Sequence, residues 1–189
     1  MIVNQLIEKA MRKAQGAQAV LGQVESTNVS FENDKLKSVE SSQRTWMEVK
    51  VIVDGKVGSS STTDINDMDD VAERALESAE FGSPAHFEFP GPAEGTDVKV
   101  YDDAVPLATR GEMVHIGEEM MGLIKEYNSD IIVGATIAKN TGRSEFANSS
   151  RAEDATESTE FGAFVFGQWI RGTDILWVGH GLGWRKREV

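Results

Sequence analysis

The sequence predicts an α+β fold made of two related units packed together, each a helix laid on an antiparallel meander. Three observations carry this reading. Apolar residues recur at helical spacing in two separate places, Val3-Leu6-Ile7-Ala10-Ala14 and Met113-Ile116-Met120-Leu123-Ile124-Tyr127. Residues 46–53 alternate strictly, with Met47, Val49, Val51 and Val53 on one face, and run into an Asp54-Gly55 hairpin turn. The order helix, strand, Asn-containing turn, short strand, Ser-Ser turn, long strand then occurs twice, over Val3–Val53 and Thr109–Trp169. Hairpin turns link consecutive strands, which favours antiparallel pairing over a Rossmann-type sheet.

Taken in order, the first helix covers Val3 to Ala14, and Gly16 stops it. An extended stretch follows over Ala19–Phe31, then an Asn33-Asp34 turn. Leu36–Val39 reads as a short strand and Ser41-Ser42 as a turn before the strand Trp46–Val53. The return strand Lys56–Thr63 has small residues: Gly58, Ser59, Ser60, Ser61, Thr62, Thr63. A second helix starts near Asp64 or Asn66, either of which can cap it, and buries Val71, Ala72, Ala75, Leu76 and Ala79. Gly82 ends that helix. Pro84, Pro90 and Pro92 mark residues 83–95 as a linker between sub-units 1–82 and 96–189.

Beyond the linker, Val98, Val100 and Tyr101 suggest a short strand. Thr109 and Glu112 have capping-box spacing ahead of the long amphipathic helix that ends near Tyr127. Its methionines are core filler, because the flexible thioether fits irregular gaps. Strands follow at Asp130–Ala138, Ser144–Ala147, Thr156–Trp169 and Asp174–Val178. Turns at Asn140-Thr141-Gly142 and Asn148-Ser149-Ser150 separate the first three.

Composition narrows the function classes. The 189 residues are 40% hydrophobic and 26% charged, enough apolar material for a core without staples. With 19 basic against 31 acidic residues the net charge is -12, which repels phosphate backbones and argues against direct nucleic-acid binding. The one basic run, Arg185-Lys186-Arg187, reads as a solvated tail. The absence of cysteine removes disulfides, thiolate metal sites and thiol nucleophiles. The N-terminus lacks the pattern of a secretory leader, and no apolar run is long enough to span a bilayer, so a cytoplasmic location is expected.

Candidate chemistry is sparse. His86, His115 and His180 are far apart, and His115 has no second histidine one turn on, so they do not form a helix-borne metal pair. Gly58-Ser59-Ser60-Ser61 lacks the Gly-x-Ser-x-Gly elbow of a serine hydrolase. Gly179-His180-Gly181-Leu182-Gly183 follows a strand without leading into a phosphate-binding helix. Asp67, Asp69 and Asp70 suit the positive end of a helix dipole rather than an acid/base couple. No catalytic residue and no metal ligand is therefore assigned. Trp169, Trp177 and Trp184 cluster near the end of the sequence, where aromatics can cover an interface.

The segment Val49–Thr62, a strand, an Asp-Gly turn and a Gly-small-Ser-Thr return, resembles the opening of TldD/PmbA (TldE) proteins, also called modulators of DNA gyrase. Asn33-Asp34-Lys35-Leu36, the Ala-rich helix through Ala75, Leu76 and Ala79, and Phe146-Ala147-Asn148-Ser149 are similar to further motifs of that family. A glycine often follows the last motif in the family, where this chain has Ser150 and Arg151. The resemblance spans about Leu6–Gln168. It implies a PmbA/TldD N-terminal domain over 1–189, with the C-terminal β-rich domain absent. It also implies a zinc-dependent peptidase system whose His-Glu-x-x-x-His motif lies outside this region, so zinc belongs to a catalytic partner or to the missing domain. The partners implied are a peptide or protein substrate and a TldD/PmbA subunit in a homo- or heterodimer. The expected role is non-catalytic: peptide binding, with Gly58, Ser59, Ser60, Ser61 and Thr62 as candidates, and subunit assembly in proteolysis or peptide maturation. The alternative is a stand-alone protein-interaction module.

Overall fold

The computed structural model describes residues 1–95 and 98–185. Its elements are α1 (Ile2–Ala10), β1 (Gly16–Glu32), β2 (Lys35–Val53), β3 (Lys56–Thr62), α2 (Met68–Ala79), α3 (Ala104–Leu107), α4 (Arg110–Tyr127), β4 (Ile132–Asn148), β5 (Glu153–Arg171) and β6 (Asp174–Trp184). The six strands make one antiparallel sheet in the order β3-β2-β1-β4-β5-β6. The α+β class and the repeated helix-plus-meander plan agree with the expectation. The repeat is closer than the residues suggest: β1 and β4 both have 17 residues, and β2 and β5 both have 19.

Several local expectations are corrected. Ser41-Ser42 is not a turn but lies inside β2, and Asn140-Thr141-Gly142 lies inside β4. In an exposed stretch of a long ladder, neighbouring strands hold the backbone extended whatever the local turn preference. The Ser41 hydroxyl even pairs across to Thr27 Oγ1 at 2.9 Å. The true counterpart of the Asn33-Asp34 turn is therefore the turn 149–152. Val98, Val100 and Tyr101 form no strand. The N-cap of α2 is Asp67, without a side-chain cap bond, while Asp64 Oδ1 accepts from Asn66 N at 2.9 Å in a local turn. Of the basic run, Lys186 and Arg187 lie outside the described residues.

Two compact units emerge, and each is assembled from non-consecutive segments. Unit 1 takes 1–24, 44–98 and 142–157; unit 2 takes 25–43, 99–141 and 158–189. This differs from a division at 83–95. The presumed linker belongs to unit 1, where Ala85 N donates to Gly55 O at 2.7 Å and Phe89 is buried.

In unit 1, Leu6 and Ile7 of α1, Met47, Val49 and Val51 of β2, and Val71, Ala75 and Ala79 of α2 share one core. Each leucine, isoleucine, valine or methionine among them contributes ~1.5–3 kcal/mol when fully buried. Asp54 and Gly55 both take positive φ, 47° and 72°, as a two-residue hairpin of this twist requires. In unit 2, Met113 and Met121 of α4 pack with Phe31, Val133, Ile137 and Phe161. Gly117 lets α4 settle, since a Cβ there would stand 2.2 Å from the Phe31 ring. The Thr109–Glu112 capping box forms as expected, with Thr109 Oγ1 accepting from Glu112 N at 3.2 Å. At the other end of α4, Lys125 Nζ holds Asp34 Oδ2 at 2.6 Å while Asp34 Oδ1 accepts from Val133 N at 2.8 Å.

Candidate functional site

The segment Gly58–Thr62 lies on β3, paired with β2 in the register Val51↔Gly58, Val49↔Ser60 and Met47↔Thr62. Its small residues have a structural cause. A Cβ on Gly58 would come within 2.2 Å of Ala75 O and 2.6 Å of Ala79 N, so the glycine lets the backbone of α2 lie directly on the strand. Along the outer edge of β3, Val57 N donates to Ser83 O at 2.9 Å, and Lys56 bridges to Pro84. Ser59 N donates to Ser78 Oγ at 2.9 Å, and that same hydroxyl lies 3.1 Å from Ser59 O. The edge is thus covered from Gly55 to Ser59. Ser61 is exposed, and Ser60 and Thr62 are half-buried. Of the five candidates only Gly58 is buried, and Ser59, although exposed, has its backbone engaged by Ser78.

A cavity of about 930 Å³ in unit 1 is lined by Gln15, Gly16, Gly55, His86, Glu88, Ser149 and Ser150 among others. These come from four distant stretches of sequence, which is why no local pattern pointed to them. The Asn148 motif builds one wall. Asn148 is buried, its Oδ1 accepts from Ser150 N at 2.9 Å and Ala152 N at 3.1 Å, and its Nδ2 donates to Pro90 O at 2.9 Å. Ser149 Oγ accepts from Ala17 N at 3.1 Å. Arg151 then takes φ 70°, the left-handed region where glycine costs least, so the departure noted at Ser150-Arg151 carries backbone strain here.

The histidines do not converge. His86 and His180 are exposed on different segments, and His115 faces Glu119 at 3.3 Å on one turn of α4. Among the described residues no group of three His, Asp or Glu side chains could hold a metal ion. The described residues do not fit a zinc site. Among the described residues no helix is long and apolar enough to cross a membrane.

Electrostatics in the two units are local. Burial raises the Asp34 carboxyl, but Lys125 and the Val133 N–H outweigh it and hold the group below its usual value. Asp69 is likewise lowered, chiefly by its hydrogen bond from Lys9. The tryptophans separate. Trp177 stacks on Phe166 with ring centroids 6.0 Å apart, Trp169 lies under the Arg171 guanidinium at 5.1 Å, and Trp184 packs against the unit 2 core.

Residues 17–79 match the family described as PmbA/TldA metallopeptidase domain 1. That span contains β3 and α2 but not the Asn148 motif. No curated protein sequence matches the chain. Among solved structures, TldE from Thermococcus kodakarensis is 13% identical with a TM-score of 0.85, covering 98% of this chain and 43% of that one. A candidate modulator of DNA gyrase from Bacteroides thetaiotaomicron VPI-5482 is 14% identical with a TM-score of 0.86, over 98% of this chain and 45% of the other. A candidate modulator of a DNA gyrase from Thermotoga maritima MSB8 is 14% identical with a TM-score of 0.82, over 98% and 43%. At these identities the likeness is one of fold, and the chain spans less than half the length of each. Residues 17–79, a third of the chain, are thus similar to PmbA/TldA metallopeptidase domain 1, and the fold of the chain is that of the three solved structures.

Proposed function

We propose that this chain is a non-catalytic N-terminal domain of a cytoplasmic PmbA/TldD-type metallopeptidase system, contributing peptide binding and subunit assembly to proteolysis or peptide maturation. The observation that carries the reading is the metallopeptidase domain match over residues 17–79, which includes the whole β2–β3 hairpin and α2. In this reading zinc is supplied by a catalytic partner or a further domain, and the assembly is a homo- or heterodimer with a TldD/PmbA subunit.

Peptide capture is assigned to the candidate segment Gly58–Thr62. Because Gly58 and Ser59 are engaged by α2, an extended peptide would pair at the Ser60–Thr62 end. The outward N–H groups of β3 fall on Val57 and Ser59, so by the two-residue period Ser61 presents the next one. Ser61→Pro removes that donor from an edge position that tolerates proline. The full assembly carrying it should bind a labelled unstructured peptide about fivefold more weakly, with circular dichroism unchanged, a loss of the size expected for one hydrogen bond. Unchanged binding removes the peptide-capture assignment.

The other reading, a stand-alone protein-interaction module, is favoured by the exposed apolar residues of β6: Ile175, Leu176, Trp177, Val178 and Leu182. Co-elution with a TldD/PmbA subunit supports the first reading, and its absence supports the second.

A further inference from the structure

The outer hairpins of the two units can be superposed by counting pairs from their two-residue turns. The third pair is Val51↔Gly58 in one and Trp169↔Leu176 in the other; the fifth is Val49↔Ser60 against Gly167↔Val178; the seventh is Met47↔Thr62 against Val165↔His180. In unit 1 this face is covered by α2, whose backbone rests on Gly58. In unit 2 the same face is a groove of about 780 Å³, lined by Trp169, Leu176, Val178 and His180 and flanked by Ile124 and Tyr127 of α4. Leu176, Val178 and Tyr127 are 54%, 61% and 87% exposed. Larger side chains stand where unit 1 has Gly, Ser and Thr, so an occupant rests on side chains rather than on the strand backbone.

The charges around the two faces are opposite. The acidic α2 is held by two cations: Lys9, the penultimate residue of α1, pairs with Asp69, and Lys56, the first residue of β3, donates to Glu80 O at 2.8 Å. In unit 2 the penultimate residue of α4 is Glu126 and the first residue of β6 is Asp174, both exposed. The cations nearby are engaged, Lys125 by Asp34 and Arg171 over the Trp169 ring.

We infer that this groove docks an amphipathic helix of a partner protein, apolar on one face and bearing lysine or arginine on its flanks. A second copy of this chain fits poorly, since its net charge is -12 and its α2 is acidic. The inference rests on the comparison of the two units and goes beyond peptide capture at β3.

The test uses the full chain and two synthetic helices of about 18 residues, some 27 Å long, that share one Leu/Ala stripe. One carries lysines on its flanks and the other glutamates. Amide chemical shifts should move at 124–131 and 174–180, and the lysine helix should bind at least about tenfold more tightly at low salt. Leu176→Ser with Val178→Ser should weaken it about tenfold, whereas Ile175→Ser on the opposite face leaves it unchanged. Glu126→Lys with Asp174→Lys should reverse the preference between the two helices. Equal affinities, no binding of either helix, shifts confined to other residues, or indifference to the Leu176/Val178 pair would each overturn the proposal. Ser61→Pro leaves this binding untouched, so failure here is distinguishable from failure of the peptide-capture reading.

Discussion

The two outer hairpins share a plan and differ in how they are finished. Each follows a 19-residue strand and a two-residue turn, Asp54-Gly55 in one and Gly172-Thr173 in the other. In unit 1 a glycine on β3 admits the backbone of α2, and the strand is sealed. In unit 2 the corresponding leucine on β6 faces water, as do most of its neighbours. A single small residue decides whether a helix can seat directly on a sheet, and this explains a Gly/Ser/Thr run that composition alone could equally assign to ligand binding.

The sharpest way to break this comparison is Gly58→Val. The added side chain meets the Ala75 carbonyl and the Ala79 nitrogen, which cannot yield without shifting α2, and overpacking of this kind costs about 2–3 kcal/mol. Urea unfolding should read that loss; a variant as stable as wild type would mean that α2 does not depend on the glycine. A smaller effect separates the helices: α4 has a complete capping box and α1 no side-chain cap. Thr109→Ala should therefore cost ~1 kcal/mol in the same measurement. Leu176→Ser, the unit 2 counterpart of the Gly58 position, should change stability by less than about 0.5 kcal/mol, as exposed sites do.

The least effect is in acid. The folded-state pKa of Asp34 is depressed, so the pair with Lys125 stabilises the fold fully above the ordinary carboxylate value of 3.8, and that stabilisation is lost as pH falls through the lower folded value. The stability gap between wild type and Asp34→Asn should narrow below that pH; a gap independent of pH would remove the ion pair as its cause.

Much of this was legible beforehand. The alternation of Met47 to Val53 and the Asp-Gly turn located the β2–β3 hairpin, because period and positive φ are properties of the local chain. The capping box of α4 was legible for the same reason. The long central strands were broken too often, since Ser41-Ser42 and Asn140-Thr141-Gly142 favour turns locally and are held extended by partners distant in sequence. The cavity walled by Gln15, His86 and Ser149 was invisible, because tertiary pairing alone joins those residues. Gly58–Thr62 stood out by its small residues, and at Gly58 the element that comes close is α2.

The interleaving of the two units has a consequence for anyone dividing this polypeptide. β1, β2, β4 and β5 each begin in one unit and end in the other. A fragment stopping at residue 95 would therefore keep β1 paired with β2 but lose β4, the other neighbour of β1, and strip Val29 and Phe31 of the core residues that cover them. Cleavage in the proline-bearing stretch should yield two pieces that co-purify as a nicked complex, and expressing either piece alone should give an aggregating product rather than half of the fold.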